Sequence, residues 1–203
     1  MKVYHGKGSC SLGILVLLEE VGADYEVVSF SLADGDHRSA DYLALNPKAK
    51  VPMLEVGAAN YITEWPAIAA YLAASHPQHG LLPTDPDGLA RTLEAVDYVV
   101  ATVHMQGFSR IVRPGNFAPS EGDHGAVVAR GREIFEGGLA LMDKTLTDRD
   151  FVAGDFTIAD AALFYVEDWK TRRLGEQLPA RCQAHYERLL GRSSVQRALA
   201  RAS

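Results

Sequence analysis

The spacing of apolar and polar positions changes several times along this chain, and each change marks an element. Lys2 to His5 is a short β-compatible run. Leu12 to Val21 is apolar at Leu12, Ile14, Leu15, Val16, Leu17, Leu18 and Val21, which predicts a helix buried on most sides. Tyr25 to Phe30 reads as a second strand, and Ala40 to Leu45 as a short helix stopped by Asn46-Pro47. Pro52 to Val56 and Asn60 to Ile62 are two further strand signals, with Gly57-Ala58-Ala59 short enough to join them as a hairpin. Thr63 is placed to cap a helix running to about Ser75, with Pro66 in its first turn, where proline is tolerated. The order is βαβαββα. Its first two strands, joined through a helix, should be parallel, and its last two antiparallel.

The pattern then shifts. His76 to Gly88 (HPQHGLLPTDPDG) holds three prolines and two glycines and reads as a linker. This predicts an α/β domain over 1–77, a linker over 78–86 and an all-helical domain over 87–203. Within the latter, Val96, Val99, Val100 and Val103 follow the i, i+3, i+4, i+7 rule. Further helical stretches are 123–146, 158–172, 179–190 and 193–201. Thr157 can cap one of these, with Asp160 answering three residues on in capping-box fashion.

Composition narrows the functional classes. The 203 residues are 47 % hydrophobic, enough for a sizeable core, and the formal net charge is −6 with no long run of one sign. A nucleic-acid partner usually calls for a basic patch, so none is expected. No apolar stretch reaches the about 18 residues that span a membrane, and the first residues read as a strand rather than a signal peptide. Neither a membrane partner nor a secretory route is expected, and the cytoplasm is the expected compartment. There the two cysteines, Cys10 and Cys182, stay reduced. Cys182 lies in a helical pattern and reads as structural.

Cys10 sits in the stretch GKGSCSL, at the junction of the first strand and the first helix. Backbone N–H groups at a helix start lack internal partners, and the helix dipole adds positive charge there. A thiolate at this corner is stabilised, and the same groups can hold the sulfur of a bound thiol. Ser9 and Ser11 bring hydroxyls beside the sulfur, and Gly6 and Gly8 leave the approach open. The competing reading is a small, inert, half-buried residue. Position 13 is Gly, so no C-x-x-C pair exists for a dithiol cycle. His76 and His79, without acids or thiols nearby, are a weak metal signal, and no metal is expected.

The opening MKVYHGKGSCSL resembles that of bacterial beta-class glutathione transferases, and the likeness continues through LALNPKAKVPMLEV, ITEWPAIAAYLA and FVAGDFTIADAALF. The resemblance implies a thioredoxin-like N-terminal domain, an all-helical C-terminal domain, a homodimer and glutathione as co-substrate. The usual activity is conjugation of the glutathione thiolate to small electrophiles, a detoxification chemistry. Thiol-disulfide and peroxidase-type activities also occur, so Cys10 can be nucleophile, mixed-disulfide former or thiolate stabiliser.

The resemblance also assigns roles. Val51-Pro52 matches a Val-Pro pair with a cis bond, whose valine backbone pairs with the cysteinyl part of glutathione like an added strand. Glu64 matches an acid that opens a helix and holds the γ-glutamyl end. Asp97 matches a position that reaches glutathione across the dimer interface, although a solvent-facing acid fits as well. His104, seven residues on and two α-helical turns away, matches a histidine lining the electrophile pocket, or it is simply a half-buried helix histidine. Lys50, His37 and Arg38 are candidates for the glycyl carboxylate.

Three positions depart from the pattern. Trp65 stands where serine or glycine is usual; of the groups that would hold the γ-glutamyl carboxylate it keeps only the backbone N–H, and its ring either reshapes the pocket edge or packs at the dimer interface. His5 stands where tyrosine is common. Tyr4 should point to the other face of the strand, which speaks against activation by a tyrosine. Met105 replaces a lysine found in some relatives. A third functional class stays open on these departures: a non-catalytic ligand-binding protein on the same scaffold.

Overall fold

Four strands form one sheet in the order β2-β1-β3-β4, where β1 is Lys2–Gly6, β2 Glu26–Phe30, β3 Met53–Gly57 and β4 Asn60–Thr63. β1 and β2 are parallel, β1 and β3 antiparallel, and β3 and β4 antiparallel. The computed structural model describes residues 1–202. Contacts divide them into a first unit, Met1–Pro83 with the chain from Glu187 onward, and a second, Thr84–Tyr186.

In the first unit α1, Ser11–Glu20, buries Ile14, Leu15, Val16, Leu17 and Leu18 completely, as its all-round apolar pattern requires. α2 is Ala40–Leu45, capped by the Ser39 hydroxyl. α3 is Trp65–Ser75. Thr63 was expected to cap α3, but it ends β4, and the cap position falls to Glu64 with φ 72° and ψ 125°. The late helix α9, Ser193–Arg201, belongs to this unit, where Arg197 and Arg201 meet Glu19 at 2.6 and 3.2 Å. Ser194 donates to Glu20 at 2.5 Å, and Arg192 pairs with the same carboxylate.

The second unit is helical. α4, Pro86–Asp97, leads into a wider π-type helix over Tyr98–Phe108, then α5, Ser109–Val112. Val96, Val99 and Val103 are buried, as their spacing predicts. α6, His124–Thr145, comes so close to the π-type segment that side chains are excluded. A Cβ on Gly138 would lie 2.5 Å from Val103 Cγ2, and one on Gly107 would lie 3.0 Å from the Phe135 backbone. α7, Ile158–Asp168, begins with the anticipated capping box: the Thr157 N–H donates to Asp160 Oδ2 at 2.7 Å, and the Ala159 N–H to Thr157 Oγ1 at 3.3 Å. α7 continues as a π-type turn over Trp169–Arg173, and α8 is Ala180–Leu190. None of the helices among the described residues is long and apolar enough to cross a membrane.

Candidate active site

The strand-to-helix corner is built from β1 and the first turn of α1. Cys10 occupies the N-cap of α1, 8 % exposed, and its thiol donates to the Val51 carbonyl at 3.7 Å. The Val51–Pro52 bond is cis. The corner therefore joins the cysteine to the backbone segment to which the resemblance assigns a docking role.

Gly8 has φ +69° with open space around its α-carbon, which suits a glycine at the turn. Gly6 does not keep an approach open. A Cβ there would lie 2.8 Å from Leu32, so this glycine makes room for that half-buried side chain.

The two serines beside Cys10 are linked to each other and to His5. Ser9 Oγ and Ser11 Oγ are 2.6 Å apart, and Ser11 Oγ is 2.7 Å from His5 Nδ1. The Gly6 N–H donates to Ser11 Oγ and the Ser11 N–H to Ser9 Oγ, each at 3.2 Å. His5 is fully buried, and burial lowers its pKa from the ordinary histidine value, which keeps the ring neutral. Its Nε2 is buried and makes no hydrogen bond among the described residues. Tyr4, the next residue back, does point the other way, into a cluster with Tyr42, Met53 and Phe30. Burial and nearby Glu55 push its hydroxyl up to about 12, so it is no source of a reactive phenolate.

Trp65 is 3 % exposed and its indole N–H donates to the Cys10 carbonyl at 3.0 Å. Of the two placements left open for this ring, the pocket edge or a dimer interface, the single chain shows it buried beside Cys10. An indole is large and mostly apolar, and this one finds both burial and a polar partner inside its own unit.

Glu64, exposed, holds a positive φ that is uncommon for a non-glycine residue and clusters at functional sites. Its carboxylate accepts from Lys48 Nζ at 2.7 Å, and the same ammonium donates to Thr63 Oγ1 at 2.9 Å. Lys48 was missed in the sequence because it reads as one more solvated loop lysine. Lys50 is exposed, and its carbonyl is clasped by the Tyr42 hydroxyl at 2.5 Å and Asn46 Nδ2 at 2.9 Å. Asn46 is buried and also accepts from the Lys48 N–H, so it shapes the loop before Val51 rather than merely stopping α2. His37 and Arg38 lie in a 3₁₀ turn, Asp36–Arg38.

Asp97 and His104 belong to the second unit. The expected two-turn spacing on one helix face fails because residues from Tyr98 onward wind more widely than an α-helix. Asp97 is exposed, while His104 is half-buried. Its Nδ1 lies 3.4 Å from the Tyr165 hydroxyl and its ring packs edge-on to Trp169 at 4.7 Å. Cys182 is buried, and its thiol donates to the Leu139 carbonyl at 3.6 Å. Burial and Glu167 push that thiol's pKa well up, which suits an inert residue. Among the described residues, no group of three or more His, Cys, Asp or Glu side chains is placed to hold a metal ion.

Residues 1–74 match the family model for the glutathione S-transferase N-terminal domain, and residues 125–190 the model for its C-terminal domain. The Escherichia coli O157:H7 protein named glutathione S-transferase GstA is 34 % identical over 207 residues, covering 98 % of this chain and 97 % of that one. A sphingomonad glutathione S-transferase solved in complex with glutathione superposes with a TM-score of 0.84 at 30 % identity, over 100 % of this chain and 98 % of that one. The bacterial beta-class enzyme of Sphingomonas chungbukensis gives 0.85 at 28 %, over 100 % and 99 %. With both family models matched and a relative alike from end to end, the chain belongs to the glutathione S-transferase family.

Proposed function

We propose that this protein conjugates the glutathione thiolate to small electrophiles, working as a homodimer with glutathione bound at the Cys10 corner. The observation that carries the reading is the thiol of Cys10 at the start of α1, 3.7 Å from the Val51 carbonyl. A tripeptide thiol laid along Val51 would bring its own sulfur to the same helix start, where N–H groups favour negative charge. Glu64 takes the γ-glutamyl ammonium, exchanging it for Lys48, and Lys50 the glycyl carboxylate. The half-buried setting of His104 between Tyr165 and Trp169 supports a part in holding an apolar electrophile. The exposure of Asp97 supports one toward a ligand of a second copy.

A second reading, glutathione-dependent disulfide reduction, rests on the same position of Cys10. A mixed disulfide there would form as a thiolate attacks a disulfide and expels the other sulfur. Two measurements separate the readings from each other and from a scaffold without turnover. Calorimetry with wild-type protein and Glu64→Ala tests glutathione binding, and assays of Cys10→Ser with an activated aryl halide and with a disulfide substrate test the chemistry. Retained conjugation with lost disulfide reduction fits both activities. No glutathione binding and no turnover across a broad electrophile panel would overturn the transferase reading.

A further inference from the structure

Two segments of the second unit carry positive charge without acids, in a chain whose formal net charge is −6. From Tyr98 to Ser120 the charged residues are Arg110 and Arg113, with no Asp or Glu. From Trp169 to Gly175 they are Lys170, Arg172 and Arg173, again with no acid. The fold joins the two segments through stacked rings. Phe108 lies on Trp169 with centroids 4.3 Å apart, and the Arg173 guanidinium sits over the Phe108 ring, 5.4 Å from its centroid. Trp169 in turn meets the His104 ring edge-on at 4.7 Å.

Most of these cations are engaged. Arg172 pairs with Asp168 at 3.1 Å, and Lys170 with Glu136 and, at 3.2 Å, with Glu176. Arg132 of α6 takes the other oxygen of Glu176 at 2.8 Å. Arg110 donates to the Gln106 carbonyl at 2.8 Å and covers the Phe117 ring at 4.3 Å. The acids around the turn therefore already have partners. Arg173, by contrast, lies within electrostatic reach of Arg113. Partial burial and the like charge of Arg113 both lower its pKa, and both side chains remain accessible to solvent. Two guanidiniums near one another repel, and an anion between them turns that repulsion into attraction. Their planar forks match a carboxylate, which can accept two parallel N–H bonds from one arginine.

We infer that Arg113 and Arg173 bind an anionic group of the electrophile, so that this transferase prefers small aromatic electrophiles bearing a carboxylate to neutral ones. The inference rests on the proposed transferase reading and on His104 as part of the electrophile pocket, and it names the substrate class. The aryl ring packs on the His104 side of the aromatic row, and the carboxylate turns toward the two guanidiniums. Cation–π attraction to Phe108 holds the Arg173 guanidinium in place before the substrate arrives. With a chlorodinitrobenzoate, the glutathione thiolate forms a C–S bond at the chlorine-bearing carbon, and chloride leaves with the electrons of the broken C–Cl bond. The carboxylate takes no part in these bond changes and serves as a handle.

The test compares a dinitrobenzoate carrying chlorine para to its carboxylate with the matching neutral benzamide. Rates with glutathione are measured for the full-length protein, and each kcat/KM is divided by the uncatalysed rate constant of the same compound. The wild type should favour the benzoate after that correction. Arg113→Gln and Arg173→Gln should each lower the benzoate-to-benzamide ratio by about tenfold, through a raised KM for the benzoate, as for a lost hydrogen bond to a charged group. Arg173→Lys keeps the charge without the fork and should fall between Arg173→Gln and the wild type. Added salt should raise the wild type's KM for the benzoate and narrow the ratio. The ratio cancels the fraction of active protein, so partial misfolding of a variant does not imitate the loss. A wild type with no preference for the benzoate, or a ratio that neither glutamine variant lowers, overturns this inference while turnover of the benzamide upholds the transferase reading. Turnover of neither compound by the wild type overturns both.

Discussion

The Trp65 indole N–H and the Cys10 carbonyl, 55 positions apart in sequence, are bonded at 3.0 Å. The carbonyl also accepts from the Gly13 N–H at 3.1 Å, so it keeps one partner if the indole is removed. Trp65→Phe should therefore cost about 1 kcal/mol for the lost bond, plus a modest amount for lost volume. Urea unfolding followed by circular dichroism would read it, and an unchanged midpoint would mean that the bond does not form in solution.

Lys48 and Glu64 make an exposed ion pair, their side chains 52 % and 62 % accessible. Such pairs contribute about 0–1 kcal/mol, so Lys48→Ala and Glu64→Gln should both leave the melting temperature nearly unchanged. If the ligand's ammonium replaces Lys48, the two variants part company in calorimetry. Glu64→Gln should weaken glutathione by about tenfold or more, and Lys48→Ala should not. Equal affinities in all three proteins would remove Glu64 from the site.

His185 is enclosed with two acids, its Nδ1 2.9 Å from Glu167 Oε2 and its Nε2 3.2 Å from Asp160 Oδ1. Only the imidazolium donates from both nitrogens. Burial pulls the pKa of this ring down, but the two carboxylates outweigh it and raise the value to about 10 from an ordinary 6.5. A pKa raised on folding contributes stability that is complete below about pH 6.5 and is lost as pH rises toward 10. Wild-type stability, measured by denaturant titration at several pH values, should fall across that window. His185→Gln should be less stable by about 3–5 kcal/mol at neutral pH and should lack this part of the pH slope. A parallel slope in the variant would show that His185 is not the titrating group.

Gly138 leaves no room for a methyl group against Val103. Gly138→Ala should cost about 1–3 kcal/mol by overpacking. Combined with Val103→Ala, the cost should be smaller than the sum of the two single changes, because the second deletes what the first collides with. Additive unfolding free energies in the double variant would contradict that close approach.

The backbone frame was legible because local signals agreed with one another. The unbroken apolar face of Leu12–Val21 demanded burial on every side, and α1 has it. Thr157 and Asp160 announced their capping box through residue type and spacing alone. Cys10 could be placed at a helix start, and Tyr4 on the opposite face from His5, by counting along one strand and one turn. What escaped depended on partners distant in sequence. Lys48 becomes notable only when β4 brings Glu64 beside it, and Asn46 only when the loop folds Lys50 back over it. Trp65 looked like an intrusion because its partner is a carbonyl, which no side-chain pattern reveals. The wider winding after Asp97 was hidden too, since valines spaced for an α-helix stay buried when the turn loosens.

The placement of α9 bears on how the molecule is made. Glu19 and Glu20 are matched by arginines that leave the ribosome more than 170 residues later. Until that stretch emerges, the far end of α1 presents two carboxylates with no counter-charge from α9, so the nascent first unit must wait for α9 to close. A ribosome stalled anywhere in the second unit would hold a site whose corner is formed but whose supporting helix is still unfastened.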